Sequence, residues 1–549
     1  MPVLDSHVDG ASRTFADNRD ANLRLLQELR SFEARVRGNS ARMADRFHQR
    51  GQLLPRERLA MLLDRGADFV ELSTLAGWQM HDDDGEENAA GGGVMTGVGF
   101  VSGARCVVTV SDSAIKGGAI APMGLRKSLR AQEIALQNKL PMINLVESAG
   151  ANLNYQAEIF VDGGRVFHNM ARLSAAGIPQ LTVVHGSSTA GGAYLPGLSD
   201  HVIVVRGQAK IFLAGPPLVR AATGEVATDE ALGGAELHAT VTGSAEYLAE
   251  DDAHALALAR EVMRSLAWTD SLAPVAAVPS SEASSDGSSI RPPRYSPDEL
   301  LGVVPPDYRQ PYDVREVIAR LVDDSVFLEH GATYGAHTVC GRARVTGFAC
   351  GIIGNNGPLY PDGATKAAHF IQQCCQSGTP LVFLQNTTGF MVGTEAERAG
   401  IIKHGARLIQ AVSNATVPRI TVMIGGSFGA GNYGMSGRSY DPHFCFSWPQ
   451  SRIAVMGGEQ AGRVLAMLAE EKARRAGKPA DPAAVEQLTA QVKEKIDRES
   501  RAIYATARLW DDGVIDPRDT RNILAFALGT CAESARRTLR PSSFGVARA

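Results

Sequence analysis

The sequence lacks the features that mark membrane, secreted and nucleic-acid-binding proteins. No apolar run approaches the roughly 18 residues of a membrane helix, and the acidic N-terminus resembles neither a secretory signal nor a transit peptide. The seven cysteines are odd in number and form no C-x-x-C, which argues against a disulfide framework and a zinc ribbon. Lys and Arg total 55 against 59 Asp and Glu, so no phosphate-binding surface is expected. We expect a cytoplasmic protein of bacterial type that binds neither nucleic acid nor membrane.

Two further motifs are missing from the chain. No G-x-x-x-x-G-K-[ST] is found, so no P-loop for ATP is expected. Histidine, aspartate and glutamate do not recur at metal-ligand spacings, and the sequence therefore predicts no metal site.

Strand and helix patterns alternate along the chain. Short β-branched runs at residues 106–110, 142–146 and 181–184 predict buried strands, with helical stretches between them. An apolar period of 3.6 predicts a helix over residues 19–36, and Pro55 predicts the start of another. The predicted fold class is α/β.

The chain carries an internal duplication. A stretch rich in proline and serine at residues 276–298 has linker composition and divides a domain of residues 1–275 from one of residues 299–549. Segments of the two halves match at an offset of 239 residues: 141–150 with 380–389, 178–186 with 417–425, and 190–194 with 429–433. Residues 211–215 match 453–457 at an offset of 242. We predict two tandem copies of one fold.

Each copy contains a strand that leads into a turn of small residues, at 186–194 and at 425–433. If a helix follows, its first amides lack partners within the helix, and small residues let a ligand approach the backbone. Two adjacent N–H donors form an oxyanion hole. A close-packed strand-to-helix turn is the alternative for either segment alone, but the matched positions favour function.

Residues 425–429 also spell G-x-S-x-G, the nucleophile elbow of serine hydrolases, with Ser427 as nucleophile. The only histidine after Ser427 is His443, just 16 residues on, which leaves little room for an elbow helix and a return. Ser427 also aligns with Ser188, whose segment lacks the motif. Besides a hydrolase, the alternatives are a crotonase-type hydratase, which needs a carboxylate base and only one domain, and a binding protein that has lost activity.

Nearly the whole chain resembles the carboxyltransferase β subunits of biotin-dependent acyl-CoA carboxylases. The matching stretches are residues 53–59, 116–118, 147–153, 189–194, 212–219, 383–391, 429–435, 455–460 and 510–517. Residues 383–391 and 429–435 are most similar to the 3-methylcrotonyl-CoA branch. The resemblance implies a crotonase-like (ββα-superhelix) fold in each domain, acyl-CoA bound by the N-terminal domain and carboxybiotin by the C-terminal one. It also implies that these two domains face each other from different subunits.

The resemblance further implies a ligase that moves a carboxyl group from carboxybiotin to the γ carbon of a branched 2-enoyl-CoA. Biotin would reside on a partner, an α subunit with biotin carboxylase and biotin carrier domains, and this chain would form dimers and a hexamer. We assign the acyl oxyanion hole to the amides of Gly191 and Gly192 and the biotin hole to those of Ala430 and Gly431. The remaining acyl-side residues are Lys116, Gly117, Gly118, Ala149, Gly150, Gly163 and Ala193, and the biotin-side residues are Thr387, Thr388, Gly389, Phe390 and Gly429.

Departures from the family pattern all remove volume on the acyl side. Ala149-Gly150 replaces a Gly-Gly pair, and the stretch at 162–165 is three residues shorter, with Gly163 where an aromatic residue is usual. Residues 119–121 are small or aliphatic where the 3-methylcrotonyl branch has two tyrosines. An emptied pocket costs stability unless a larger ligand fills it, so geranyl-CoA is favoured, in terpenoid catabolism. The alternatives are 3-methylcrotonyl-CoA, in leucine catabolism, and neutral drift with compensating substitutions elsewhere.

The sequence predicts that the purified chain has no carboxylase activity alone, because it has neither an ATP site nor the Met-Lys-Met signature of biotinylation. The measurement is turnover of acyl-CoA with ATP and bicarbonate. Carboxylated product without a partner would contradict the assignment.

Overall fold

A computed structural model describes residues 2–84, 89–270, 272, 290–477 and 481–546. Residues 276–289 of the predicted linker lie outside this range. The chain divides into two compact units. The N-terminal unit comprises Ser31–Ala276, Ala507–Leu509 and Thr530–Ala549, and the C-terminal unit comprises Met1–Arg30, Ala277–Thr506 and Trp510–Gly529.

The helices alternate with strands through both units. They are α1 (Arg13–Ala41), α2 (Ala44–Gln49), α3 (Pro55–Leu62), α4 (Pro122–Asn138), α5 (Gln156–Ala175), α6 (Tyr194–Gly197), α7 (Pro216–Thr223), α8 (Asp229–Gly233), α9 (Ala235–Thr240), α10 (Asp252–Ser265), α11 (Leu300–Val303), α12 (Val314–Ala319), α13 (Pro361–Gln376), α14 (Thr394–Arg398), α15 (Ile401–Ser413), α16 (Gly429–Gly434), α17 (Gly458–Arg475), α18 (Pro482–Glu499), α19 (Ala502–Ala507) and α20 (Thr520–Arg536). Among the described residues, no helix is both long and apolar enough to span a membrane.

The strands are β1 (Val70–Leu72), β2 (Val94–Val101), β3 (Ala104–Ser111), β4 (Met142–Ser148), β5 (Gln180–Thr189), β6 (His201–Val205), β7 (Lys210–Phe212), β8 (Tyr247–Ala249), β9 (Leu328–His330), β10 (Thr338–Val345), β11 (Phe348–Asn355), β12 (Leu381–Thr387), β13 (Arg419–Phe428), β14 (Phe444–Ser447) and β15 (Arg452–Ala454). The predicted strands and the helix beginning at Pro55 are confirmed. The helix predicted over 19–36 is longer, because its apolar period continues at both ends into α1.

Each unit is built on one mixed sheet. In the N-terminal unit the order is β1-β2-β3-β4-β5-β6-β8, with β7 paired to β5. In the C-terminal unit it is β14-β13-β12-β11-β10-β9, with β15 paired to β13. In both, an antiparallel hairpin (β2–β3 or β10–β11) joins parallel strands. The two sheets share the same plan, which confirms the predicted α/β class and the duplication.

The two copies correspond residue by residue around their central strands. In β4 and β5 the pairing shifts register before Ser148 meets Ser188, and in β12 and β13 it shifts before Thr387 meets Ser427. Both residues of the first pair lie 239 positions before those of the second. The offset found in the sequence is therefore also the structural offset, down to one irregularity of the ladder.

The offset extends to a buried lysine in the helix that follows each hairpin. Lys127 of α4 donates to the carbonyl oxygen of Val94 at 2.8 Å, and Lys366 of α13 donates to that of Gly331 at 3.1 Å. Burial lowers the pKa of Lys127 to about 8 and also lowers that of Lys366. Each ammonium ties its helix to the chain segment before the hairpin, so the layer that will cover the sheet is held in the same way in both units.

A buried ionic network fastens the carboxyl ends of β4 and β5. Arg58 of α3, with a side chain 1% exposed, donates to Glu147 at 2.8 Å and to Asp252 at 3.0 Å. Asp252 also contacts Nδ1 of His185 at 2.7 Å, and Ser113 donates to Glu147 at 2.8 Å. Burial lowers the pKa of His185, so the ring is neutral at neutral pH and can donate to the carboxylate. The network positions the end of β4, from which the acyl-side loop leaves.

Replacing Arg58 by methionine should lower the free energy of unfolding by about 3 kcal/mol or more, because it leaves two largely buried carboxylates without their cation. Urea denaturation measures the change. The matched control is Arg56→Met, whose ion pair with Glu71 is partly exposed, and which should cost about 1 kcal/mol or less. Equal losses in the two variants would show that the buried network has no special weight.

Candidate functional site

The acyl-side turn begins where β5 ends. Ala190 has a φ of +53°, which a residue with a side chain rarely adopts, and the chain then makes a tight turn over Ala190–Ala193 into α6. The hydroxyl of Ser188 donates to the carbonyl oxygen of Gly192 at 2.9 Å and holds the turn. The amides at the start of such a turn have no partner within it. Gly191 is half-buried and Gly192 buried.

The biotin-side turn repeats this geometry. Gly429, 239 residues after Ala190, has a φ of +52° and begins α16. Gly431 is packed so closely that an added Cβ would lie 2.8 Å from the Cα of Gly389 and 3.0 Å from Thr387. Its counterpart Gly192 would meet Ser148 in the same way, at 3.2 Å. Both turns therefore present their first amides from a backbone that admits no larger residue at the second glycine.

Three loops meet beside the acyl-side turn. The amide of Ile120 donates to the carbonyl oxygen of Gly150 at 2.9 Å, and the amide of Asn152 returns a bond to Ile120 at 3.1 Å. Lys116, Gly117 and Gly118 all have positive φ, and a Cβ on Gly118 would collide with the carbonyl oxygen of Glu147. The predicted residues Lys116–Gly118, Ala149 and Gly150 thus lie together, next to the predicted Gly191–Ala193.

An acidic residue that the sequence did not single out holds the lysine of this cluster. Asp82 lies 2.9 Å from Nζ of Lys116 and accepts hydrogen bonds from Tyr155 at 2.8 Å and Asn152 at 3.1 Å. Its slight burial would raise the pKa of the Asp82 carboxyl, but the bonds from Lys116 and Tyr155 lower it. Asp82 stands in a polar loop with no motif, so only the fold reveals this contact.

A cavity of about 570 Å³ opens behind the acyl-side turn, between the sheet and helices α4 and α5. Alternate residues of β4 form its floor, and α4 and α5 form its roof. Its wall includes the predicted residues Gly118, Gly163 and Gly191, and also residues 119–121, where the family pattern has larger side chains. The positions that the sequence predicted to have lost volume are therefore grouped around one cavity.

Gly163 lies in a helix, and the prediction of a short loop at this point is wrong. Residues 162–165 belong to α5, because the chain before and after them keeps a helical apolar period that includes Ile159, Val166 and Met170. Gly163 has no positive φ, and an added Cβ would find no heavy atom within 4 Å. The glycine is thus not required by backbone conformation, and it leaves open space at the cavity wall.

The biotin-side residues divide between the turn and a second cavity. Thr387 and Gly389 contact Gly431 as described, and Gly389 has a φ of +120°. Thr388 and Phe428 line a cavity of about 370 Å³ together with Tyr308 of the same unit. Phe390, by contrast, packs with its ring towards Gly405 and Gly434, a position that supports α15 and α16.

The geometry excludes the serine hydrolase. Ser427 is fully buried, donates to the side-chain oxygen of Gln385 at 2.5 Å and accepts from Asn432 at 2.7 Å. His443 lies beside Arg419, the first residue of β13, whereas Ser427 is near its end, about 26 Å along the strand at roughly 3.3 Å per residue. The serine is a structural link between β12, β13 and α16 and has no base within reach.

Among the described residues, no group of three or more His, Cys, Asp or Glu side chains is placed to hold a metal ion. The turns, loops and cavities described above therefore constitute the candidate site.

Comparison with known proteins agrees with this arrangement. The carboxyl transferase domain family matches residues 46–546, and the chain belongs to that family. It is 48% identical over its whole length to a probable mitochondrial methylcrotonoyl-CoA carboxylase beta chain of Drosophila melanogaster, covering 95% of that protein. It is 47% identical over 94% of its length to the biotin-dependent 3-methylcrotonyl-coenzyme A carboxylase beta1 subunit of Mycobacterium tuberculosis, covering 95% of it.

A solved structure, the beta subunit of P. aeruginosa geranyl-CoA carboxylase, superposes with a TM-score of 0.92 at 55% identity, and each chain covers 100% of the other. The resemblance inferred from the sequence and the crotonase-like fold of both copies are thereby confirmed.

Replacing Ser427 by alanine should leave turnover within about tenfold of wild type, because the serine is a buried hydrogen-bonding group and not a nucleophile. The free energy of unfolding should fall by about 1–3 kcal/mol, since Gln385 and Asn432 lose a partner. Ser188→Ala, its counterpart in the other copy, is the control for loss of a buried hydroxyl. A fall in turnover beyond a hundredfold, with the fold intact, would restore the nucleophile hypothesis.

Proposed function

We propose that the chain is the carboxyltransferase subunit of a biotin-dependent carboxylase that acts on a branched 2-enoyl-CoA, with geranyl-CoA favoured. The observation that carries this proposal is the apolar cavity that continues from Gly191 and opens further at Gly163. The reaction breaks a γ C–H bond of the acyl chain and forms a bond from that carbon to the transferred carboxyl carbon.

The two turns would supply the electrostatic part of catalysis. Removing the γ proton of the thioester places negative charge on its carbonyl oxygen, which the amides of Gly191 and Gly192 would stabilise. The equivalent amides of Ala430 and Gly431 would hold the oxygen of the second reactant. Two reactants that each develop an oxyanion need two holes, and a duplicated fold provides them.

The residues of the C-terminal unit fit a flat, uncharged ring system. The packing of Gly431 against Gly389 brings the turn's backbone within reach of a ligand, and Thr388, Phe428 and Tyr308 line a cavity next to it. Carboxybiotin, when bound, supplies the carboxyl group and, by the family resemblance, a ring nitrogen that takes the proton. This explains why no side chain has to serve as the base, and why Glu147 is engaged by Arg58 and Ser113 instead.

Substrate length supports geranyl-CoA over 3-methylcrotonyl-CoA. The cavity runs along β4 from Ser148 to Met142, about 20 Å at roughly 3.3 Å per residue. The four-carbon main chain of 3-methylcrotonyl would occupy only the end near Gly191. A second isoprene unit adds five carbons, whose burial contributes roughly 4 kcal/mol at about 0.8 kcal/mol per carbon. The curated relatives named for methylcrotonoyl-CoA keep that substrate as the second candidate.

The remaining assignments follow the family resemblance. They comprise a biotin-carrying α subunit as partner, assembly into dimers and a hexamer with sites shared between subunits, a cytoplasmic location and a role in terpenoid or leucine catabolism. The division into residues 1–275 and 299–549 with a linker at 276–298 is part of the same proposal.

The direct experiment reconstitutes the chain with a biotin-loaded partner and compares kcat/KM for geranyl-CoA and 3-methylcrotonyl-CoA. Preference for geranyl-CoA is the expected result. Preference for 3-methylcrotonyl-CoA would keep the enzyme class and overturn the substrate, and failure with both would overturn the class.

Replacing Gly163 by phenylalanine should reduce the kcat/KM for geranyl-CoA relative to 3-methylcrotonyl-CoA at least tenfold, because the ring would fill the space that the second isoprene unit needs. Gly163→Ala is the matched control. It adds one methyl group in open space of a helix, so it should stabilise α5 slightly and leave the ratio near that of wild type. Equal loss on both substrates with phenylalanine would contradict the pocket assignment.

A further inference from the structure

The far end of the acyl cavity is polar, although its middle and mouth are mostly apolar. Gln132 of α4 and Gln180 at the start of β5 both line it, and they are only 5% and 0% exposed. The side-chain amide of Gln132 donates to the carbonyl oxygen of Val166 at 3.1 Å, and that of Gln180 donates to Met170 at 2.7 Å. These bonds fix which end of each side chain is nitrogen, since a backbone carbonyl needs a donor.

Both amide oxygens are left without a hydrogen-bond partner. The Oε1 atoms of Gln132 and Gln180 are buried and unpaired. Val166 and Met170 are one helical turn apart on α5, so the two amides lie about 6 Å apart along the cavity. Buried acceptors without a donor are costly, and a site lined by two of them favours a ligand that brings a hydroxyl group.

The other polar groups nearby are already satisfied. Thr109 donates to the side-chain oxygen of Asn144 at 2.7 Å, Asn144 donates to Thr182 at 3.3 Å, and Ser128 donates to the carbonyl oxygen of Gly124 at 3.0 Å. Only the glutamine oxygens, among these cavity-lining groups, remain to receive a donor.

The second copy shows what an ordinary core has at these positions. The offset of 239 places Ile371 where Gln132 stands and Phe383 where Asn144 stands, and Ile353 pairs with Phe383 as Thr109 pairs with Asn144. All three belong to one closely packed apolar cluster of the C-terminal unit. The fold thus does not require polar residues here, and the N-terminal unit has them only where it has the acyl cavity.

Distance along the strand indicates which part of an acyl chain would meet the glutamines. Gln180 pairs with Met142, about 20 Å from Ser148, and Gln132 is about one helical turn nearer, at roughly 14 Å. The seven main-chain bonds of a geranyl group extend at most about 10 Å at roughly 1.5 Å per bond. A hydroxyl on its last carbon, with one hydrogen bond of about 2.8 Å, would reach Gln132.

We propose that this end of the cavity recognises a hydroxyl group at the distal end of the acyl chain, so that the substrate class includes terminally hydroxylated isoprenoid acyl-CoA thioesters. Gln132 would accept the hydroxyl of a ten-carbon chain, and Gln180 would accept from a longer chain or from a water that bridges to it. The inference rests on the proposed function of the cavity as the acyl site.

The test compares geranyl-CoA with 8-hydroxygeranyl-CoA in the reconstituted enzyme, as the ratio of their kcat/KM values. In wild type this ratio should lie within about tenfold of one, because the hydroxyl exchanges water for a protein acceptor. Gln132→Met, which keeps the length of the side chain but removes the acceptor, should lower the kcat/KM of the hydroxylated substrate at least tenfold relative to geranyl-CoA. Gln180→Met should lower it less, and the control Ser128→Ala should not change the ratio.

Two outcomes would overturn the inference: a hydroxylated substrate more than a hundredfold poorer in wild type, or a ratio that Gln132→Met leaves unchanged, as expected of a trapped water only. Affinities of both thioesters for the full chain, measured by calorimetry without a partner, give the same comparison independently of turnover. If neither substrate is carboxylated or bound, the proposed acyl site itself is wrong, which is distinct from loss of hydroxyl preference alone.

Discussion

A left-handed residue directly after a long buried strand is the constraint on which both halves of the site depend. Ala190 and Gly429 have φ values of +53° and +52°, and each turns the chain sharply at the carboxyl end of its sheet. The register shift between the neighbouring strands separates them just before this point, so the turn has room to expose its amides. The positive φ is strained for Ala190, and such strain persists where surrounding contacts impose it.

Those surrounding contacts also explain residues whose role is not chemical. Gly186 is glycine because a Cβ would lie 2.7 Å from the carboxyl group of Glu147, and its counterpart Gly425 would collide with the side-chain oxygen of Asn386. In both copies a polar side chain on one strand thus occupies the space above a glycine on the next. In the N-terminal unit, Arg58 then fixes the carboxylate. A residue that could have been taken for a general base is instead part of the frame that holds the oxyanion turn.

Much of this arrangement could be predicted because it repeats. The constant offset of 239 residues identified the duplicated strands, and the small residues at 190–194 and 429–433 identified the turns. The helix through Gly163 could not be predicted, since two adjacent glycines interrupt its pattern and indicate a loop. The partner of Lys116 is Asp82, more than thirty residues away in a polar loop, and the acceptors Gln132 and Gln180 come from separate elements. Contacts of this kind depend on tertiary packing, which leaves no local signal.

The glycines of α5 show most clearly what the N-terminal copy has changed. Glycine in a helix interior costs about 1 kcal/mol relative to alanine, and neither Gly163 nor Gly164 has a positive φ or a close neighbour that would require it. The second copy has Ile402 and Lys403 at these positions, within α15, which covers a filled core. Helix stability has therefore been given up only in the copy where the helix forms the roof of a cavity. The space gained beside Gly191 is a requirement of the ligand, because the fold itself is stable without it in the other half of the same chain.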